Sequence, residues 1–185
     1  AHRVAERPFI LLGHSMGGAI VADFVARRVR AADLVVLSSP ALKARLSPFQ
    51  RLQLAIGTRF LPDVALANGL DPSGIAHDPL TVKAYLDDPL VHDRISARLA
   101  KAVIDAGESA RAAAAKWDTA TLLLYGGADR IVDPAGSAAF AAGAPGAVVE
   151  AQRFDALYHE IFNEGALAAP VFAHLERWLD AKLPR

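Results

Sequence analysis

Unbroken runs of apolar residues alternate with helical patterns at both ends of the chain, and together they predict a parallel sheet. The first run, residues 8–12, stops at Gly13 and has the character of a strand buried on both faces. An Ala- and Val-rich stretch, 19–30, ends in basic residues as helix C-termini prefer. Residues 33–37 then repeat the strand pattern. Strand, helix and strand at this spacing predict a βαβ unit, whose strands are parallel.

The same alternation returns after residue 120. Residues 121–125 predict a buried strand, Pro134 opens a small helix, and 147–154 can supply one more strand. A periodic helix closes the chain, with His174 on its polar side. The apolar residues that we expect to share one face of it are Leu167, Val171, Leu175, Trp178 and Leu179.

The middle of the chain, 41–116, has no strand-like run and is punctuated by five prolines. Its last part, 95–115, predicts a helix with Ile95, Leu99, Val103 and Ile104 on one stripe. A chain of 185 residues is enough for one domain with a real core. We therefore expect one α/β domain over residues 1–185, incomplete at its N-terminus, with 41–116 as a helical insertion.

Composition narrows the function classes. Twenty Lys and Arg balance twenty Asp and Glu, so nothing in the charge favours nucleic acid as a partner. The absence of cysteine excludes disulfides, a thiolate nucleophile and Cys-ligated zinc. The longest uncharged stretches, 8–22 and 134–149, are shorter than the roughly 18–20 apolar residues of a membrane span. Residues 1–7 lack the apolar centre of a signal peptide, which favours a cytoplasmic location.

The sequence Gly13-His14-Ser15-Met16-Gly17 has the form G-x-S-x-G, between a predicted strand and a predicted helix. Such a turn raises a serine to the end of a sheet, at a helix N-terminus that favours developing negative charge. Gly13 and Gly17 would let strand and helix approach closely, and the backbone N–H of Met16 would be one oxyanion donor. The alternative is a Gly-rich turn with an incidental serine.

A serine nucleophile needs a base and an orienting acid, in the chain order Ser, acid, His. Asp129 follows a predicted strand end, with Asp133 as a competitor four residues later. His159 follows the last predicted strand. The other histidines are poorer candidates by position: His2, His14, His77, His92 and His174.

Three segments resemble the monoacylglycerol lipase and lysophospholipase branch of the α/β-hydrolases. They are residues 9–18 (FILLGHSMGG), 122–134 (LLLYGGADRIVDP) and 158–164 (YHEIFNE). The resemblance implies Ser15 as nucleophile, Asp129 as triad acid and His159 as base, with no cofactor and no metal. It also implies that 41–116 is a helical cap, which covers an acyl pocket and meets membranes or micelles.

The chain departs from this family in one respect. Members carry several strands before the nucleophile turn, and a His-Gly loop among them supplies the second oxyanion donor. This chain begins almost at the turn. We therefore expect that the N-terminal part of the fold is absent here and that residues 8–12 form an exposed edge strand.

Three functional hypotheses follow. The first is a carboxylic-ester hydrolase acting on monoacylglycerols or lysophospholipids, and the second is a small-ester carboxylesterase or an aminopeptidase-like hydrolase. The third is a catalytically inactive fragment or a binding subunit. Apolar residues of the insertion either line an acyl channel or pack the cap onto the core, namely Leu52, Leu54, Ile56, Phe60 and Leu61.

Overall fold

The computed structural model describes residues 7–183, in which six strands and six α-helices follow one another. The strands are β1 (Ile10–His14), β2 (Leu34–Ser38), β3 (Ala65–Ala67), β4 (Arg94–Ser96), β5 (Thr121–Gly126) and β6 (Val149–Phe154). The helices are α1 (Ser15–Ala26), α2 (Pro48–Phe60), α3 (Pro79–Asp87), α4 (Ala97–Ala113), α5 (Pro134–Gly143) and α6 (Ala169–Lys182). Short 3-10 turns lie at Pro72–Gly74, Ala114–Lys116 and Gly165–Ala168.

The main sheet has the order β1-β2-β5-β6, and all its neighbouring strands are parallel. β2 and β5 lie in the middle, and every one of their residues is buried. This confirms the predicted α/β fold with a mostly parallel sheet. The carboxyl ends of β1, β5 and β6 reach the same edge of the sheet, because parallel strands all run in one direction.

The first helix lies four residues earlier than predicted. It begins at Ser15 without a loop, and Gly17 and Gly18 lie in its first turn. It ends at Ala26, because Arg28 adopts the left-handed region with φ 52°. Arg28 N–H bonds Val25 O at 2.9 Å and Val29 N–H bonds Phe24 O at 3.2 Å, which is a Schellman motif.

Apolar side chains cover both faces of the sheet. Val35, Leu37 and Leu123 face one cluster, which includes Ala22 of α1 and Phe140 of α5. The strand residues between them face a second cluster against α6, with Leu34, Val36, Leu122 and Leu124 packed near Val171 and Trp178. Alternating side chains of β2 and β5 therefore reach two cores, which explains their unbroken apolar runs. In the edge strand β1, Ile10 and Leu12 are 36% and 56% exposed, so the prediction that this run is buried on both faces is wrong.

The middle segment contains two strands that the sequence did not predict. β3 and β4 form an antiparallel pair in which Leu66 lies opposite Ile95. Each strand has three residues and one large apolar side chain, too little to show a periodic pattern. The predicted helix is α4, but Ile95 lies in β4 and Leu99 is 41% exposed, so the predicted stripe is wrong at these two positions. The buried residues of α4 are Ala106, Gly107 and Ala110.

The second half of α4 packs on α1. Ala110 and Ala114 lie in the same core cluster as Ala22 and Val25. A Cβ at Gly107 would lie 2.7 Å from Leu42 O, so the helix passes very close to the chain that leaves β2. The last part of the predicted insertion thus shares the central core, while the division into core and cap at 41–116 stays a prediction.

The final helix follows its predicted pattern except at Leu167. Val171 and Trp178 are buried in α6, but Leu167 lies in the preceding 3-10 turn and is 49% exposed. His174 was predicted on the polar side of this helix, and its Nε2 lies 2.8 Å from Glu150 Oε1, with the side chain only 13% exposed. Among residues 7–183, no helix is long and apolar enough to cross a membrane.

Replacing Leu123 with Ala should destabilise the protein strongly. Its side chain is fully buried in the central strand, so the truncation leaves a cavity that costs about 2–5 kcal/mol. Leu90→Ala is the matched control, since Leu90 is 88% exposed and should change stability by less than about 0.5 kcal/mol. Urea unfolding of both variants measures the difference, and equal losses would contradict this core assignment.

Candidate active site

Ser15 occupies a strained turn between β1 and α1. Its φ is 52°, in the left-handed region that costs a residue with a side chain about 1–3 kcal/mol. The helix starts at Ser15 itself, directly after the last residue of the strand. This places the hydroxyl above the carboxyl edge of the sheet, at the N-terminal end of α1.

The close approach in this turn depends on Gly13 and Gly18. A Cβ at Gly13 would lie 2.5 Å from Gly17 O, and one at Gly18 would lie 2.7 Å from Pro40 Cβ. A Cβ at Gly17, in contrast, would meet no atom within 4 Å. The expectation that the absence of a side chain at Gly17 allows strand and helix to approach is therefore wrong, because that position faces open space.

The three residues predicted as a triad lie in one chain of contacts. His159 Nε2 is 2.8 Å from Ser15 Oγ, and His159 Nδ1 is 2.7 Å from Asp129 Oδ2. Asp129 follows β5 and His159 follows β6, so the shared edge of the sheet brings them together. Both side chains are almost fully buried, at 3% and 4% exposure of the residue.

The Asp129 carboxylate is held by its own loop. Its Oδ1 accepts hydrogen bonds from the backbone N–H groups of Ile131 at 2.8 Å and Val132 at 3.0 Å. These bonds fix one oxygen and leave Oδ2 facing His159. The carboxylate can therefore orient the imidazole with little rotation of its own.

Asp133, the competing acid, has a different set of partners. Its carboxylate pairs with Lys43 Nζ at 2.7 Å and caps α5 through Ala135 N–H at 3.0 Å. The hydrogen bond from Lys43 holds the pKa of Asp133 below its usual value. These contacts make it a helix cap and an ion-pair partner.

His14 forms an unpredicted network beside the serine. Its Nδ1 lies 3.0 Å from Ser38 Oγ and its Nε2 lies 3.1 Å from Glu160 Oε1. The imidazole rings of His14 and His159 are 4.9 Å apart. Burial alone would raise the pKa of Glu160, but hydrogen bonding and attraction to His14, with smaller effects of Asn163 and His159, lower it to about 2. The feature of the sequence that could have indicated a role for Glu160 is its position directly after His159.

Sequence reasoning also set aside His77, which in the structure contacts Glu164 and stacks on Tyr158. All three lie next to the His159 loop or within it. Glu164 belongs to the quoted segment 158–164, so its position was visible but its burial was not.

A cavity of about 340 Å³ opens onto Ser15. His14, His159 and Glu160 form its polar side next to the hydroxyl. Its apolar lining comes mainly from the segment after β3 and from the loop after β5, with Leu70, Ile75, Leu86, Val91 and Ile131.

The residues predicted for an acyl channel lie elsewhere. α2 has no buried residue, and Leu52, Ile56, Phe60 and Leu61 are each more than half exposed. They neither line the cavity at Ser15 nor pack against the core, so both expectations for these four are wrong. Leu54 lies in a separate surface depression with Lys101 and Ile104.

Among residues 7–183, no group of three or more His, Asp or Glu side chains is arranged to hold a metal ion. The chemistry that the described side chains support is proton transfer between a serine hydroxyl, an imidazole and a carboxylate.

The family described as "Serine aminopeptidase, S33" matches residues 1–166. The chain belongs to this family of α/β-hydrolases. A monoacylglycerol lipase of Mycolicibacterium smegmatis is 36% identical over 160 residues, which are 85% of this chain and 57% of that protein. Phospholipase YtpA of Bacillus subtilis is 28% identical over 88% of this chain and 64% of its own length. The chain thus spans 57% and 64% of the lengths of these two curated relatives.

Solved structures give the same family placement. A monoacylglycerol lipase of Paleococcus ferrophilus is 35% identical with a TM-score of 0.87, covering 94% of this chain and 68% of that one. A soluble variant of monoglyceride lipase from Saccharomyces cerevisiae, in complex with a substrate analog, is 25% identical with a TM-score of 0.82. This match covers 96% of our chain and 63% of the yeast one. This chain is therefore similar to monoacylglycerol lipases.

Gly18→Ala should destabilise the protein, and Gly17→Ala should not. The new methyl at Gly18 would collide with Pro40, and relieving that overlap costs about 1–3 kcal/mol. The methyl at Gly17 enters open space in a helix, where Ala is favoured over Gly by up to about 1 kcal/mol. Thermal and urea unfolding measure both, and a Gly17→Ala loss equal to that of Gly18→Ala would refute the assignment.

The Glu160 carboxylate should stabilise the folded protein, and this stabilisation should decrease as the pH becomes acidic. Its folded pKa of about 2 lies below its ordinary value of 4.5, so the folded state resists protonation of this group. The stabilisation is therefore present above pH 4.5 and is lost as the pH falls toward 2. Over that range the wild type should lose more stability than Glu160→Gln, which cannot titrate.

The unfolding free energy, measured by urea titration at a series of pH values, tests this expectation. The matched control is Glu176→Gln on the exposed side of α6, which should follow the wild-type curve. If the Glu160→Gln curve is parallel to the wild-type curve, the carboxylate is not stabilised by its neighbours.

Proposed function

We propose that the chain carries the catalytic machinery of a serine ester hydrolase, with Ser15 as nucleophile, His159 as general base and Asp129 as orienting acid. The observation that supports this most directly is the continuous contact from Ser15 Oγ through the His159 ring to Asp129 Oδ2, at 2.8 Å and 2.7 Å. Each contact lies within the range of a strong hydrogen bond. Membership of the S33 family supports the same roles.

The contacts of His159 support a proton on Nδ1 and none on Nε2. Asp129 Oδ2 accepts a hydrogen bond from His159 Nδ1–H, so the proton stays on Nδ1 and Nε2 is free to accept the Ser15 hydroxyl proton. Ser15 Oγ then attacks the ester carbonyl carbon. The resulting imidazolium lies against the buried carboxylate, which stabilises its charge.

The tetrahedral intermediate needs donors for its oxyanion. Met16 N–H lies in the first turn of α1, where backbone N–H groups have no partner within the helix. It is our candidate donor, and the helix dipole adds favourable potential at this end. His159 then returns its proton to the leaving alcohol, and a water that His159 activates releases the acid from the acyl-enzyme.

Monoacylglycerols or lysophospholipids are the substrates that we propose. The cavity joins an apolar wall, including Leu70, Leu86 and Val91, to a polar region at His14 and Glu160, which matches one acyl chain and one polar head. The names of relatives, a monoacylglycerol lipase and a phospholipase, support these two ester classes.

We further propose that the segment from residue 41 to the first half of α4 is a cap that touches lipid surfaces. Its exposed apolar side chains are concentrated on α2, α3 and the adjoining loops. They are Phe49, Leu52, Ile56, Phe60, Leu61, Leu80, Leu86 and Leu90, with exposures from 51% to 88%. Exposed large apolar side chains mark membrane or partner contacts where they gather into a patch, and their number in this one segment supports the proposal.

Ester hydrolysis by triad variants tests the machinery. Ser15→Ala should lower kcat by at least about 10³-fold. Asp129→Asn should lower it by about 10⁴-fold, because the amide would hold the imidazole in the wrong tautomer. Ser109→Ala, a helical serine of α4 outside the cavity, is the matched control and should keep wild-type activity. A folded wild-type chain without turnover would favour an inactive or binding role, and activity retained in Ser15→Ala would exclude this serine.

The substrate class is tested separately with a series of acyl-chain lengths on glycerol, compared with p-nitrophenyl acetate and an aminoacyl p-nitroanilide. The apolar wall predicts a higher kcat/KM for medium and long chains. The highest kcat/KM on the acetate would favour a small-ester esterase, and the highest on the anilide would favour an aminopeptidase.

A further inference from the structure

Glu164 is a buried carboxylate outside the three reacting side chains. The residue is 2% exposed, and its side chain is completely covered. Its Oε1 accepts a hydrogen bond from Tyr158 N–H at 2.7 Å, and its Oε2 accepts one from His77 N–H at 2.6 Å. His77 Nδ1 lies 3.0 Å from Oε1 and 3.1 Å from Oε2. Each oxygen of the carboxylate therefore binds a backbone N–H from a different part of the chain.

These bonds fix the backbone on the N-terminal side of His159. Tyr158 immediately precedes it, and the Tyr158 N–H is held by Glu164. On the other side, Glu160 N–H donates to Ile75 O at 2.7 Å. Ile75 and His77 belong to one short segment before α3, so the His159 loop is attached to this segment on both sides of the imidazole.

The ring of Tyr158 extends the same arrangement to Asp129. It stacks on the His77 ring with centroids 3.6 Å apart, and the Arg130 guanidinium lies 4.2 Å from its centroid. Arg130 directly follows Asp129 in the chain. Gly74 allows the close approach, since a Cβ there would lie 2.9 Å from Arg130 Cβ. Tyr158 adjoins His159 in the chain, and Arg130 adjoins Asp129. Their contact therefore connects the two loops whose side chains meet in the site.

We infer that Glu164 is a positioning residue of the site, which holds the His159 loop so that the imidazole faces Asp129 and Ser15 together. The inference rests on the proposed function in assigning a reaction to those three residues. Glu164 does not line the cavity at Ser15, so its effect passes through the loop and not through contact with substrate. A displacement of about 1 Å in a catalytic group lowers turnover by as much as about 10²-fold.

Glu164→Gln is the informative substitution because it keeps the size of the side chain. An amide has one oxygen and one NH₂, so one of the two backbone N–H groups would face another donor. Two donors that face one another repel, and a buried N–H without an acceptor costs free energy. The loop should therefore shift from its position. Glu164→Asp is a milder change that keeps both oxygens but shortens the reach, and it decides the question if the Gln variant does not fold.

The first readout does not depend on turnover. In protein with ¹⁵N-labelled histidine, the proton on His159 Nδ1 should give a downfield NMR signal because it is bonded to a buried carboxylate. Glu164→Gln should shift, broaden or abolish this signal, with a smaller change in Glu164→Asp. Glu176→Gln, on the exposed side of α6, should leave it unchanged.

The second readout is steady-state hydrolysis of a monoacylglycerol. Folded Glu164→Gln should lose about 10- to 100-fold in kcat with KM changed by less than about threefold. A wild-type signal and wild-type kcat in folded Glu164→Gln or Glu164→Asp would overturn the inference. A loss in KM with kcat unchanged would also overturn it, since that result places Glu164 in substrate binding. A wild-type protein that shows the signal but no hydrolysis contradicts the proposed function alone, and the NMR comparison then still tests Glu164.

Discussion

The His159 imidazole is the group through which three separate parts of the chain meet. One nitrogen lies 2.8 Å from Ser15 Oγ after β1, and the other lies 2.7 Å from Asp129 Oδ2 after β5, while the ring itself follows β6. This meeting requires that all the strands run in one direction and end at one edge, which the parallel register provides. The strained φ of 52° at Ser15 persists because β1 is paired with β2 along its whole length and α1 packs into the core. The site is therefore a consequence of the sheet, and its precision comes from the loops that hold each side chain.

The sheet and the order of the three residues could be predicted because both leave local signals. Strands buried on two faces read as unbroken apolar runs, and a G-x-S-x-G turn shows its glycines directly in the sequence. The finer assignments failed where the deciding contact was distant. Nothing in the sequence shows that Gly18 lies against Pro40 while Gly17 faces open space. The contacts of His77 with Glu164 span 87 positions, and Glu160 reaches His14 across 146, so no local pattern announces either pair.

The segment between β2 and β5 divides in the structure into two kinds of packing. The second half of α4 and the 3-10 turn after it join the core through Ala110 and Ala114, whereas the apolar side chains of α2 are mostly exposed. Apolar periodicity predicts that a helix has an apolar face, but it does not predict what covers that face. That is why residues expected to line a channel or a core lie at the surface. The exposed face of α2 does not line the cavity at Ser15, whereas Leu86 of α3 both lines that cavity and is 62% exposed, so it belongs to the proposed acyl site and to the proposed lipid-contacting surface.

The reactivity of Ser15 tests the account at its centre. Intact protein is treated with a fluorophosphonate, digested, and the adduct is located by mass spectrometry. The account predicts one adduct, on Ser15, which forms at least about 10³-fold more slowly in folded His159→Ala because the hydroxyl has lost its base. An adduct on a different residue, or equal rates in the wild type and His159→Ala, would contradict the claim that the imidazole activates this serine.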